Sequence, residues 1–254
     1  MKLLINYATR RFYRSQKFNT KTGKNIGQFD EVISYRPKDI DPVFWENNKK
    51  ILLQKRGGGY WIWKPYIIKK AMEHLKDGDF LFYCDSGAHF IKSIDPLIDR
   101  CNTSSQDIFP FDVGLIEKAW NKRDAFILMD CDTPQYADTS QRHASFALYR
   151  KSEFSCNFVN EWLNLAQDER ILTDLKNQMG LPNYPEFKKH RHDQSIFSLL
   201  TKKYQLEAYR GPSYWGRNSV EKHYGFLKHT RAKLSLYSYA RALLWLYFTR
   251  LKES

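Results

Sequence analysis

Carboxylates that follow short apolar runs are the groups in this chain best placed to do chemistry. The run Leu81-Phe82-Tyr83-Cys84 delivers Asp85, Ser86 and Gly87. In open α/β sheets, ligands bind where strands deliver their carboxyl ends. A carboxylate emerging there before two small residues suits a hard cation. Mn²⁺ or Mg²⁺ takes one or two carboxylates and fills its remaining positions with water and substrate phosphates. The same residues also make an ordinary turn capped by Asp85. A second run, Ala125 to Met129, delivers Asp130-Cys131-Asp132-Thr133-Pro134. Asp-x-Asp at a strand end suits metal or general-base work, and Asp-Thr-Pro is equally a turn opener.

Two basic segments complete the set. Lys188-Lys189-His190-Arg191-His192-Asp193 leads into an apolar periodic stretch. The i, i+2 spacing keeps His190 and His192 off a common helix face. Placed before a helix N-terminus, they suit a phosphate or a carboxylate partner; a solvated lead-in to a capped helix reads the same way. In Arg56-Gly57-Gly58-Gly59-Tyr60-Trp61-Ile62-Trp63-Lys64-Pro65, three glycines permit positive φ and close backbone approach to a ligand. Arg56 and Lys64 have the chemistry to pair phosphates, and Trp61 or Trp63 to stack on a sugar or base. The segment lacks the Gly-Lys-Ser/Thr ending of a P-loop.

The elements that must hold these groups alternate. Strands are expected at Lys2 to Asn6, Phe29 to Tyr35, Asp79 to Cys84, Ala125 to Met129 and Ala144 to Tyr149. Helices are expected after the cap Asp41 and from Pro65 to about Lys76, then over Val113 to Asn121. Two more follow, over Ser152 to Gln167 and over Asp193 to Tyr204, the last with Asp193 as its N-cap. Arg10 to Gln28 reads as a basic loop. This order predicts an α/β domain with a mainly parallel central sheet flanked by helices over residues 1–215, then a basic helical tail over 216–254.

Composition narrows the class. Of 254 residues, 42% are hydrophobic and 16% aromatic, enough for a core and incompatible with a disordered or collagen-like chain. Cys84, Cys101, Cys131 and Cys156 form no CxxC pair, which disfavours a structural zinc site or a disulfide framework. The apolar stretch after Lys2 is too short for a signal-peptide core, so the reducing cytoplasm is the expected compartment. The net charge is +13, of which +6 falls in residues 216–254. A nucleic-acid-binding protein would also be basic, but it would spread the excess over a domain face.

Read together, RGGGYWIWKPYII, DGDFLFYCDSG, KRDAFILMDCDTPQYADTSQRHASFALYRKSEFSCNFVNEWL, DERILTD and PEFKKHRHDQSIFSLL resemble a family of bacterial and viral glycosyltransferase-like proteins. Members occur among capsule and lipopolysaccharide biosynthesis proteins. The resemblance runs in ordered blocks over about residues 1–215. It implies a GT-A-like nucleotide-sugar-binding fold, a divalent cation (Mn²⁺ or Mg²⁺), and hexosyl-type transfer from a nucleoside-diphosphate sugar to a glycan or lipid-linked acceptor. Asp85 matches the first position of the family's Asp-x-Asp, with Gly87 at the third. By the same resemblance Asn6, Tyr7 and Thr9 fall in the nucleotide-holding region, and Asp85 and Ser86 on the donor side. His192 and Asp193 fall where such folds return a late ligand or an acceptor-side group to the site, and Asp85 and His192 are the candidate metal ligands. Arg56 and Lys64 would face the departing diphosphate, and Asp132 and Asp193 are the candidates for the acceptor's proton. A metal-dependent nucleotide-sugar hydrolase would use the same groups without an acceptor.

The tail adds a membrane expectation. Over 229–252, Leu236, Ala240, Leu243, Leu244, Tyr247 and Leu251 recur at helical spacing. The longest apolar run after Arg241 is seven residues, against about 20 needed to span a bilayer. A basic amphipathic helix suits peripheral seating on the anionic inner face of the cytoplasmic membrane, where each Lys or Arg contributes about 1 kcal/mol. The alternative is a last helix packed on the catalytic domain.

Overall fold

The computed structural model describes residues 1–213, 225–229 and 234–251. In chain order the elements open with β1 (Lys2–Tyr7), α1 (Tyr13–Asn25), β2 (Glu31–Tyr35), α2 (Pro42–Asn47) and α3 (Trp63–Met72). There follow β3 (Phe80–Cys84), β4 (Ala88–Phe90), α4 (Asp95–Asn102), β5 (Ile108–Phe109) and β6 (Asp112–Ile116). Next are α5 (Arg123–Leu128), β7 (Ser140–Arg142), β8 (Phe146–Arg150) and α6 (Glu153–Ala166). The last three are α7 (Asp193–Lys203), β9 (Leu227–His229) and α8 (Leu236–Leu251). Contacts gather them into two units. The first takes Met1–Asp39, Asp79–Ser105 and the described residues of Pro212–Ser254; the second takes Ile40–Gly78 and Gln106–Gly211. The stretch read as a tail thus contributes β9 and α8 to the first unit.

In the first unit β2, β1 and β3 run parallel, β1 in the middle, with Leu3 opposite Glu31 and Leu81. Parallel strands with both faces covered are built from continuous apolar runs, and Leu3, Leu4, Ile5, Leu81 and Phe82 are fully buried. Helix α1 replaces the loop expected over Arg10 to Gln28. Its buried face is mostly polar, with Gln16, Asn19 and Thr22 beside Phe18, so hydropathy hid its period. Those side chains bond strand backbone: Gln16 Nε2 donates to Tyr35 O at 2.8 Å and Asn19 Nδ2 to Ala88 O at 2.9 Å. A Cβ on Gly23 would stand 2.3 Å from Leu4 Cδ2, so glycine lets α1 lie close to β1.

Helix α8 packs on α1 through Trp245, whose ring lies 6.4 Å from Phe18, and it buries Leu246. Leu236, Leu244 and Tyr247 of the expected stripe are 69%, 58% and 60% exposed. Residues 230–233 and 252 of the expected tail helix lie outside the described residues. No helix among the described residues is long and apolar enough to cross a membrane.

In the second unit α6 packs against α3 and α7, with Trp162 and Phe197 rings 4.9 Å apart. A capping box formed by Ser152 and Ser155 starts α6. Here β5 pairs antiparallel with β8, and β6 with β7. Two expectations are corrected. Ala125 to Met129 is not a strand, because it falls on α5 and the residues just after it. An apolar run this short fits either state by pattern, and here buried Asp124 fixes the helix start by accepting from Gln178 N and Met179 N. Val113 to Asn121 is not one helix but strand β6 followed by a single helical turn, Glu117–Trp120.

Candidate functional site

Two clusters emerge, one in each unit. The first lies at the carboxyl edge of the parallel strands. The Ser86 hydroxyl donates to the Tyr7 carbonyl at 2.7 Å, tying the end of β3 to the end of β1. Asn6 is buried and its Nδ2 donates to Asn19 Oδ1 at 2.7 Å and Thr20 Oγ1 at 3.2 Å, so it anchors the rim to α1. Asp85 is half-buried, and its Oδ1 accepts from the Tyr83 hydroxyl at 2.6 Å. Burial raises the Tyr7 phenol well above its ordinary value, so it stays neutral. Thr9 follows, its carbonyl accepting from Phe12 N at 2.8 Å. Asn6, Tyr7, Thr9, Asp85 and Ser86 therefore share one edge, the place where such sheets bind ligands.

The second cluster gathers around His192. Gly57, Gly58, Gly59, Tyr60 and Trp61 are all at positive φ, a run that needs the glycines and carries the two aromatics in the left-handed region with them. The loop is clamped at Gly57 O, which accepts from Trp63 Nε1 at 2.9 Å. It lays Trp61 over the His192 ring, with centroids 5.6 Å apart. His192 Nδ1 is 2.9 Å from the Leu172 carbonyl. A carbonyl only accepts, so Nδ1 holds the proton and Nε2 presents its lone pair. That Nε2 is buried without a hydrogen-bond partner and lies 3.8 Å from Asp174 Oδ1. Burial pushes the His192 pKa down to about 4, against the opposing pull of the Leu172 carbonyl and Asp174, so the ring is neutral near pH 7. A neutral imidazole oriented through Nδ1–H is the form that ligates metals. Among the described residues no group of three or more His, Cys, Asp or Glu side chains is assembled as a metal site.

The neighbours of His192 are charged. Asp174 accepts from Arg56 Nη1 at 2.8 Å and from the Tyr60 hydroxyl at 3.1 Å. Lys64, 2% exposed, donates to Asp193 Oδ2 at 2.5 Å and Ala144 O at 2.9 Å. Asp193 is therefore not the N-cap expected for α7. His192 occupies that position at φ 58°, without a side-chain cap, and the Asp193 carboxylate is taken by Lys64. Asp132 sits apart from this group, accepting from Arg123 Nε at 2.9 Å and from the Tyr184 hydroxyl at 2.9 Å. Both carboxylates considered for the acceptor's proton are thus engaged with cations. Asp174 escaped sequence reading; the only signal for it was a carboxylate in the block DERILTD.

No protein-family model and no curated protein matches the chain. Solved structures do. Mouse xyloside xylosyltransferase 1 in its apo form aligns at a TM-score of 0.47 and 10% identity, over 90% of this chain and 96% of that one. The apo-form glycosyltransferase GlyE of Streptococcus pneumoniae TIGR4 aligns at 0.47 and 12%, over 83% of this chain and 45% of that one. A glycosyltransferase involved in glycosylation of the major capsid of PBCV-1 aligns at 0.45 and 9%, over 84% and 83%. At these values the likeness carries no activity, substrate or site over to this chain.

Proposed function

We propose that the protein transfers a sugar from a nucleoside-diphosphate sugar to a glycan or lipid-linked acceptor in surface polysaccharide synthesis. The observation that carries this reading is the Ser86–Tyr7 hydrogen bond, which sets Asn6, Tyr7, Thr9 and Asp85 along one rim of a parallel sheet. In this reading Tyr7 and Thr9 seat the nucleotide, and Asn6 holds the rim. Asp85 and His192 lie in different units, and each is proposed separately as a ligand of Mn²⁺ or Mg²⁺. The orphaned His192 Nε2 fits that role. When bound, the cation supplies positive charge for the diphosphate as it departs. Arg56, in the second unit and paired with Asp174, is proposed separately as a bidentate donor to phosphate. Asp193 is kept as the acceptor-side carboxylate, with Lys64 holding it, and Asp132 positions Arg123 and Tyr184. The exposed face of α8, in a basic stretch, supports peripheral seating on an anionic membrane.

Thermal unfolding of the full chain with Mn²⁺ and a panel of nucleoside diphosphates tests the reading. A true ligand at a hundredfold excess over its Kd adds about 2.7 kcal/mol of apparent stability. The shift is expected for at least one nucleotide and is expected to vanish in Asp85→Asn. A flat response to every nucleotide overturns the proposal.

A further inference from the structure

The first unit carries a half-open pocket of about 510 Å³ that meets the nucleotide rim at Ser86. Small-molecule sites usually run ~300–1,000 Å³ and are mostly apolar. Phe18 of α1, Ile91 just after β4, and Ala242 and Trp245 of α8 form much of its wall. Ser86 and Gly87 line it as well, so it adjoins the edge that carries Asp85.

Its polar groups are few and distinct. The His89 ring lies 5.0 Å from that of Phe18 and 6.0 Å from that of Trp245. Burial first, and Lys228 second, push its pKa down to about 4, so near neutral pH it adds no charge to the wall. Lys228 is exposed and pairs with His89 in the register of β4 and β9. Among the described lining residues it is the one lysine, with no arginine, aspartate or glutamate beside it. The cavity therefore offers an apolar interior with one cation in its lining.

Helix α8 points to where an occupant would come from. Ala242 and Trp245 line the pocket, and Trp245 itself is exposed along with Leu236, Tyr237, Leu244 and Tyr247. A helix apolar toward both a cavity and the outside suits the boundary between a bilayer and a lipid-binding site. A free sugar would leave the apolar walls unmatched, and an alcohol would leave Lys228 unmatched.

We propose that this cavity holds the hydrocarbon chain of the acceptor, a single alkyl or prenyl chain ending in a phosphate that meets Lys228. The inference rests on the transferase reading for the word acceptor, and the binding itself can be measured without it.

The experiment is calorimetric titration of the full chain with farnesyl monophosphate below its self-association concentration, with farnesol and inorganic phosphate in parallel. Farnesyl monophosphate is expected to bind, and inorganic phosphate is expected neither to bind comparably nor to displace it. Ala242→Trp fills the cavity and should weaken binding ~10-fold or more. Lys228→Gln, at an exposed position that leaves the fold intact, should weaken farnesyl monophosphate by up to ~5-fold and leave farnesol unchanged. Absence of binding, equal binding of inorganic phosphate, or full affinity in a folded Ala242→Trp protein overturns the proposal. If Ala242→Trp does not fold, Lys228→Gln decides, and an equal affinity for the phosphate and the alcohol in the unaltered protein sinks it. Nucleoside diphosphates are run on the same samples. Farnesyl monophosphate binding without any nucleotide shift removes the transferase reading and leaves the lipid site; the reverse result removes the lipid site alone.

Discussion

The two units hold their candidate residues by different means. In the first, a rim of parallel strand ends is fixed by backbone pairing and single neutral hydrogen bonds, such as Ser86 to Tyr7. In the second, a left-handed loop and buried ion pairs do the holding, with Lys64 on Asp193 and Trp61 on His192. A neutral hydrogen bond contributes about 1 kcal/mol net, whereas a buried charge stripped of its partner costs several times that. The second unit should therefore be brittle to single changes and the first tolerant of them.

Substitutions rank the two designs. The largest loss is expected for Lys64→Ala, about 3–5 kcal/mol, because it strands the Asp193 carboxylate away from water. Urea unfolding measures it, and Lys64→Met with Asp193→Leu should recover most of the loss; a cost near zero for the single change would show that the pair is not buried in solution.

Acid should come next. An unfolded imidazole titrates at its ordinary 6.5, while folded His89 and His192 titrate at about 4. Between these values the unfolded chain binds the extra protons, so the contribution of these two rings to stability falls as pH drops from about 6.5 to about 4 and is constant above. Each ring accounts for about 3 kcal/mol over that window. His192→Gln and His89→Gln should each flatten the pH profile by that share, one reporting on each unit.

Glycine changes refine the contrast. Gly59 sits at φ 96°, and an added Cβ would stand 2.7 Å from Leu52 Cα, which is backbone and cannot swing aside. Gly59→Ala should cost about 1–3 kcal/mol. Gly23→Ala meets side chains alone, Leu4 closely and Phe90 at ordinary contact distance, and should cost less. Smallest is Ser86→Ala, about 1 kcal/mol in stability, with a larger proportional effect on nucleotide affinity because the rim loses its tie. Equal melting temperatures for Gly59→Ala and Gly23→Ala would erase the distinction between the units.

The same contrast explains what could be read in advance. Strands β1 and β3 were legible because parallel strands covered on both faces demand apolar runs, β2 because Phe29 to Tyr35 alternates, and α6 because Phe158 and Trp162 recur on one face. Helix α1 was not, since Gln16, Asn19 and Thr22 face inward to serve strand backbone. The rim of the first unit could be anticipated from strand ends alone. The His192 cluster could be anticipated only in its parts. Asp174 reaches it from a loop, and positive φ at Tyr60 and Trp61 follows from the fold around the glycines rather than from their own side chains. Buried Glu117 went unseen for a similar reason: beyond its neighbour Asn121, its partners Gln141 on β7 and Ser198 and Lys202 on α7 are distant in sequence.

The most direct test of the central claim follows both halves of the reaction at once. The full chain is incubated with Mn²⁺, nucleoside-diphosphate sugars and a glycan or lipid-phosphate-linked saccharide acceptor, and nucleotide release is measured beside the mass of the acceptor. The account predicts one added sugar on the acceptor for each nucleoside diphosphate released, and loss of both signals in a folded Asp85→Asn protein. Nucleotide release with only free sugar would make the protein a hydrolase, and transfer undiminished in Asp85→Asn would contradict the site assigned here.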